Sequence, residues 1–338
     1  MATPTTVHDL LQIGAADDPA IGAPGRADLS YAGLRDLMAT TGRALAGAGI
    51  APGDRVAIVL ANGPAMASCF LAVAAHATAA PLNPGYRAEE FDFYISDLSA
   101  KAVIVAAGDD TPAREVAARH GASVIELSED EGAPAGSFSL AVAAPSPDAA
   151  PLAGPDDTAL VLHTSGTTSR PKIVPLSGAN LATSAGHIAA SLALAPEDRC
   201  LNIMPLFHIH GLMAAVSASM RAGASVHCAP GFNALRIFPQ LEEVRPTWYT
   251  AVPTMHQAIL GRAARNTELI ERLGLRLIRS SSSSLPPQVM TELEAVFGCP
   301  VIESYGMTEA SHQMASNPLP PAARKPGTVG IAAGPEIR

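Results

Sequence analysis

The residues best placed to do chemistry lie in the run LHTSGTTSRPKIV, Leu162 to Val174. An apolar strand over Ala159 to Leu162 leads into Thr164, Ser165, Gly166, Thr167, Thr168 and Ser169 before Lys172. Small side chains, free hydroxyls and one permissive glycine can surround phosphate oxygens with backbone N–H and hydroxyl donors, while the ammonium adds a compact positive charge. A nucleoside triphosphate is the natural guest. The run differs from the phosphate loop that has a second glycine directly before its lysine and a Ser or Thr directly after it, because Lys172 follows Pro171 and precedes Ile173. A Ser/Thr-rich surface turn is the plainer alternative. Lysine usage favours phosphate. Of 22 basic residues only Lys101, Lys172 and Lys325 are lysines, so a lysine in this loop suits a site that prefers a point charge to a planar fork.

Three further runs carry reactive or donor side chains. In MPLFHIHGL, Met204 to Leu212, His208 and His210 stand two residues apart just after a strand. A metal would need a third ligand at a recognisable offset, and none follows. Contact with an acidic substrate, or a histidine satisfied by backbone carbonyls at a helix start, remain open. In RSSSSSLPP, Arg279 to Pro287, five serines let the backbone approach a flat ring closely, unless the run is only a linker. In SYGMTEASH, Ser304 to His312, Tyr305 can stack on a base, Thr308 can bind an α-phosphate, and Glu309 can hold Mg²⁺ whose other ligands are phosphate and water. A capped helix beginning near Met307, with Glu309 favouring its dipole, is compatible with the same residues.

These runs need elements to hold them. Ser30 is a good N-cap for a helix carrying Leu34, Leu37, Met38, Thr41 and Leu45 and ended by Gly47 and Gly49. Strands over Arg55–Leu60, Ala80–Leu82, Ala102–Ala106 and Ser123–Leu127 alternate with helices over Pro64–Ala75, Glu89–Leu98 and Pro112–His120. After residue 157 the alternation resumes, with strands over Ala159–Leu162 and Cys200–Met204, near Val226, and over Trp248–Ala251, Leu275–Ile278 and Val301–Ile302, and a helix over Pro287–Phe297. The expected fold is α/β, two mainly parallel sheets side by side and flanked by helices. The expected organisation is a first subdomain over 1–128, a linker over 129–157 rich in Ala, Pro, Gly, Ser and Asp, a second subdomain carrying the nucleotide site over 158–320, and the start of a third over 321–338. Ligands of such sheets bind where loops leave the carboxyl ends of the strands, and all four runs lie there.

Bulk composition narrows the chemistry. A net charge of −9 leaves no basic stripe for nucleic acid, and 4% aromatics offer no stacking platform for single strands. Cys69, Cys200, Cys228 and Cys299 form no C-x-x-C pair, so neither a disulfide framework nor a zinc site is indicated. Reduced, mostly buried thiols and the lack of a readable address signal imply a cytoplasmic location. Residues 57–86 contain no Asp, Glu, Lys or Arg. Gly63, Pro64, His76 and Pro81 argue against a membrane span there and for a buried strand and helix.

Taken in order, TSGTTSRPK, PLFHIHGL, WYTAVPT, RSSSSSL, SYGMTEASHQMASNPLP and KPGTVG make the chain resemble the acyl-adenylate-forming acyl-CoA synthetases over nearly its whole length, and most of all the oxalate-CoA ligase branch. The resemblance implies a two-step ligase. A carboxylate attacks the α-phosphate of MgATP to give an acyl-adenylate and pyrophosphate, and the thiol of CoA then displaces AMP. It implies that Thr164, Ser165, Gly166, Thr167, Thr168 and Lys172 cover the β- and γ-phosphates. Ser281, Ser282 and Ser283 would border the adenine with Tyr305, Thr308 would touch the α-phosphate, and Glu309 would bind Mg²⁺. Lys172, Thr308 and Glu309 are thus the candidate catalytic residues, and His208, His210, Ser280 and His312 the candidate acid pocket. Oxalate keeps a second carboxylate beside the reacting one, so its pocket needs cationic or donor groups. A medium-chain fatty or aryl acid, and a non-catalytic nucleotide-binding module, are the alternatives. Ile173 departs from the glycine usual after the loop lysine. The resemblance also implies a ribose-binding aspartate, a hinge and a small C-terminal domain beyond Arg338, so the 338-residue chain is expected to fold, to bind nucleotide weakly and to turn over little.

Overall fold

The computed structural model describes residues 3–130, 132–148, 151–164 and 171–337. Its strands in chain order are Pro19–Gly22 (β1), Leu29–Ser30 (β2), Arg55–Val59 (β3), Thr78–Pro81 (β4), Ala102–Ala106 (β5), Ser123–Glu129 (β6), Phe138–Ala141 (β7), Thr158–Thr164 (β8), Lys172–Ser177 (β9), Arg199–Asn202 (β10), Ser225–Cys228 (β11), Trp248–Ala251 (β12), Leu277–Ser280 (β13), Val301–Met307 (β14), His312–Ser316 (β15) and Ile331–Ala332 (β16). They form a seven-stranded sheet ordered β7-β6-β5-β3-β4-β8-β9 and a nine-stranded sheet ordered β16-β15-β14-β13-β12-β10-β11-β1-β2.

Alternation of apolar residues explains why both sheets are covered on both faces. In β3, Val56 and Ile58 join the core between the sheets, while Ala57 and Val59 join an outer core with Phe91, Ile95 and Leu98. In β12 and β13, Trp248 and Leu277 face the same central core, and Tyr249 and Ile278 face an outer one with Leu241, Ile259 and Leu293. The central core also takes Leu34 and Leu45 of helix Tyr31–Gly47, Phe70 and Leu71 of helix Pro64–Ala74, and Leu181 and Ile188 of helix Gly178–Ser191. Helix Pro64–Ala74 is buried from Ala65 to its end, which accounts for its lack of charge. Among the described residues no helix is long and apolar enough to cross a membrane. Ser30 caps helix Tyr31–Gly47 by accepting from the Gly33 N–H.

One expectation is refined and one needs correction. The sheets are mixed: their centres are parallel, but β2, β7, β9, β15 and β16 pair antiparallel at the edges, where hairpins replace helical crossovers. The division at residues 129–157 also does not separate the sheets. β1 pairs with β11 in the nine-stranded sheet, β8 and β9 complete the seven-stranded one, and β7 inside the expected linker pairs with β6. Its short apolar alternation, Phe138 and Leu140, was masked by the surrounding Pro, Gly and Ser residues.

Candidate active site

The parallel strands of the two sheets deliver their carboxyl ends to one valley. β8 ends at Thr164 and β9 begins at Lys172, which pair across the hairpin; the expected phosphate-loop residues Ser165, Gly166, Thr167 and Thr168 lie outside the described residues. Opposite them, β14 ends in the tight turn Thr308–Ala310. The Thr164 hydroxyl lies 3.5 Å from Glu309 Oε1, so the start of the loop on one sheet meets the carboxylate on the other. Tyr305 and Glu309 are exposed at this rim. Gly306 is required here, because a Cβ would collide with the His312 carbonyl across the β14–β15 hairpin.

Beneath the rim lies a buried polar cluster. The β13 strand places Arg279, fully buried, at its centre. Arg279 Nη1 lies 3.4 Å from both His210 Nε2 and Thr250 Oγ1; Nη2 lies 3.2 Å from His312 Nε2 and 3.3 Å from Gln313 Oε1. Among the described residues no carboxylate pairs with this guanidinium, and its Nε has no partner. Burial lowers its pKa to about 9, which leaves it charged at neutral pH. Because an arginine only donates, both imidazoles must present a lone pair at Nε2, which makes each the Nδ1–H tautomer. His210 Nδ1 then donates to Ser282 Oγ at 2.9 Å, and Thr250 Oγ1, 2.6 Å from His210 Nε2, completes the chain. The two rings stack with centroids 5.2 Å apart. Burial first, then the charge of Arg279 and, for His210, the His312 ring, hold both histidines well below their ordinary pKa.

Local backbone geometry aims these groups. His210 opens a π-helix, His210–Ser217, a wider turn than an α-helix allows. Gly211 lets it pack, since a Cβ there would come within 2.6 Å of the Pro205 carbonyl. His312 follows the turn with φ +91°, after Ser311 at +54°, a left-handed pair that non-glycine residues adopt only under constraint. Gln313 supplies part of that constraint by donating to Ser191 Oγ and the Ala333 carbonyl, each at 3.0 Å. Glu303, buried and raised in pKa by that burial, accepts from the Leu285 N–H at 2.8 Å and fixes the end of the serine run.

The structure therefore brings His210, His312, Ser282 and the buried Ser280 into one neighbourhood, and Thr164, Lys172, Thr308, Glu309 and Tyr305 to the rim above. Ser280 and Ser281 are buried with unpaired hydroxyls, and Ser283 is exposed. His208 is exposed, lies tilted at 50° against the Phe207 ring, and among the described residues forms no side-chain hydrogen bond to the cluster. Among the described residues no three His, Cys, Asp or Glu side chains are grouped so as to hold a metal ion. All four cysteines are free and buried, and burial raises their pKa values, which disfavours the thiolate form. Sequence reasoning missed Arg279, Thr250, Gln313 and Glu303. The signal was available for Arg279, a charge inside a strand otherwise buried on both faces.

A sequence profile of AMP-binding enzymes matches residues 14–338. The chain belongs to the AMP-binding enzyme family. An oxalate-CoA ligase of Arabidopsis thaliana is 44% identical over 328 residues, covering 95% of this chain and 64% of that protein. An oxalate-CoA ligase of Saccharomyces cerevisiae is 37% identical over 305 residues, covering 83% of this chain and 55% of that protein. The chain thus spans under two thirds of the length of these relatives. The crystal structure of ATP-bound MatB from Rhodopseudomonas palustris superposes with a TM-score of 0.85 at 30% identity, covering 98% of this chain and 65% of that one. In this family member, the valley between the sheets is the place to look for chemistry.

Proposed function

We propose that this AMP-binding protein serves the ATP-dependent activation of a short dicarboxylic acid, oxalate in the first place, as its acyl-adenylate, for transfer to the thiol of CoA. One observation carries the choice of acid: Arg279 is a buried cation with no acidic partner among the described residues, flanked by two neutral imidazoles. A guanidinium costs several kcal/mol to bury, roughly, unless an anion offsets it. A monoacid spends its only carboxylate on the reacting phosphate. A diacid has a second one to give, and an alkyl chain placed here would strand the guanidinium. The relatives named for oxalate support the same reading.

In this scheme Arg279, with the Nδ1–H of His312, holds the non-reacting carboxylate and turns the other toward the rim. Lys172 and the hydroxyl of Thr164 face the β- and γ-phosphates, and Thr308 faces the α-phosphate. Glu309 would hold Mg²⁺, whose other ligands are phosphate oxygens and water, and the ion would neutralise the charge of the leaving pyrophosphate. Of the two stacked histidines, His312, being neutral, offers its Nδ1–H to the carboxylate, while His210 holds Ser282 and Arg279 in place.

Titration calorimetry of the 338-residue chain tests this reading. MgATP should bind, and Lys172→Ala and Glu309→Ala should each weaken that binding by about tenfold or more. With MgATP present, oxalate should bind more tightly than malonate, and octanoate and coumarate should not bind detectably. Octanoate binding as well as oxalate does would refute the diacid pocket.

A further inference from the structure

Gln313 stands at the edge of the acid cluster and faces two ways. Buried in β15, it accepts from Arg279 Nη2 through Oε1 at 3.3 Å, while its Nε2 donates to Ser191 Oγ and the Ala333 carbonyl, each at 3.0 Å, with the His187 carbonyl at 3.4 Å. We propose that Gln313 is a positioning residue that sets the preference for a doubly charged acid: it holds the Arg279 guanidinium by a neutral acceptor and so leaves the positive charge to the ligand. The proposal rests on the acid-activation reading and adds the group that keeps its pocket cationic.

Chemistry fixes which way the amide points. A guanidinium only donates, so the amide oxygen must face Arg279, and carbonyls only accept, so the nitrogen must face Ala333 and His187. Ser191 agrees. Its hydroxyl donates to the Ile188 carbonyl at 3.0 Å and thus turns a lone pair, not a proton, toward Nε2. A flipped amide would set N–H against N–H at Arg279 and oxygen against two carbonyls. The orientation is therefore held from outside the cluster, by helix Gly178–Ser191 and by the residue that follows β16.

Glutamate has nearly the shape of glutamine, and a carboxylate is the usual partner of a buried arginine. One amide nitrogen in place of an oxygen decides the charge of this pocket. The groups that meet the guanidinium are two imidazole nitrogens, the Thr250 hydroxyl and the Gln313 amide, all without charge. A carboxylate at position 313 would occupy Arg279 permanently, and an entering diacid would meet its repulsion. The plainer role is a staple, because the Nε2 contacts alone tie β15 to the helix. A staple uses the nitrogen end and is indifferent to the charge of the ligand.

The test compares oxalate with oxamate, which keeps one carboxylate and replaces the other by a neutral amide. Binding to the 338-residue chain is measured calorimetrically with MgATP present, and the wild type should bind oxalate more tightly than oxamate by about tenfold or more. Gln313→Glu should weaken oxalate by about a hundredfold and oxamate far less, so that the preference collapses. Gln313→Met removes the amide but not the charge of Arg279, and should weaken oxalate only several-fold with the preference kept. A urea series gives a readout that needs no acid. Gln313→Glu should lower the unfolding midpoint much more in an Arg279→Met background than alone, since its carboxylate is then buried without a counter-ion. Equal midpoint shifts in the two backgrounds, an oxalate preference that Gln313→Glu leaves intact, or one that Gln313→Met abolishes equally, would overturn the assignment. Should Gln313→Glu not fold, undiminished oxalate binding by Gln313→Met overturns it, and a several-fold loss with the preference kept upholds it. No oxalate binding by the wild type would refute the acid reading and this assignment together, whereas the outcomes above refute the assignment alone.

Discussion

Replacing Arg279 by methionine should separate stability from acid recognition. The guanidinium makes four hydrogen bonds to protein, all between 3.2 and 3.4 Å, near the long limit for such contacts. Its removal orphans His312 Nε2 and Gln313 Oε1, at roughly 1–3 kcal/mol each, while Thr250 keeps its 2.6 Å contact with His210. Against this, a buried charge without a counter-ion is taken away, which relieves roughly several kcal/mol. The terms are of similar size, so the unfolding free energy in urea should change by no more than about 2 kcal/mol in either direction. Oxalate recognition should not survive. Two charge-assisted bonds to a carboxylate contribute roughly 1.5–3 kcal/mol each, and their loss should weaken oxalate binding by a factor of about 10² to 10⁴, measured calorimetrically with MgATP present. MgATP affinity itself should be nearly unaffected. A loss of stability above about 4 kcal/mol would mark Arg279 as a structural strut, and undiminished oxalate binding would remove it from the acid pocket.

Acidification should destabilise the fold. His210, His312 and His256 all have folded pKa values below the ordinary 6.5, His256 near 4, so below about pH 6.5 the unfolded chain binds more protons and stability falls with pH; His256 alone should cost roughly 2 kcal/mol at pH 5. Above pH 7 these residues contribute no slope, and thermal midpoints equal at pH 5 and pH 7 would contradict the burial of the cluster. Asn62→Leu should lower stability by about 1–3 kcal/mol, because it leaves the buried Leu206 N–H unpaired at the seam between the sheets. An unchanged urea midpoint would show that the seam does not depend on that bridge.

The helices and central strands were legible because their residues answer to a local rule. Pro287 at the start and Gly298 after Phe297 bound the helix Pro287–Phe297, both by residue type alone. β3 reads as apolar on both faces because helices cover both. Strand partnership was not legible: nothing within Pro19–Gly22 says that it pairs with β11, some 200 residues on, since parallel pairing is decided by the packing of the whole sheet. In the site, the loops were found by their hydroxyls and histidines, which stand out against an alanine-rich chain. Arg279 was overlooked because it stands beside five serines that drew the eye to the backbone. Gln313 was overlooked because its role depends on a left-handed turn that no residue type at 311 or 312 announces.

The two halves of the proposed reaction sit on supports of different kinds. Arg279, Thr250 and His312 belong to the nine-stranded sheet, and His210 to the helix that follows its strand β10, so the acid cluster is fixed by one hydrogen-bonded framework and by burial. The phosphate side is split: Thr164 and Lys172 come from the seven-stranded sheet, Thr308 and Glu309 from the other, meeting at the 3.5 Å approach of Thr164 to Glu309. A rigid pocket is what discrimination between oxalate and a longer acid requires, because a misplaced donor loses more than it gains. A seam is what a triphosphate requires, because the phosphates themselves, bridged by Mg²⁺, can draw the two sides together. Substitutions inside the cluster should therefore change which acid is chosen, and substitutions along the seam should change how tightly the nucleotide is held.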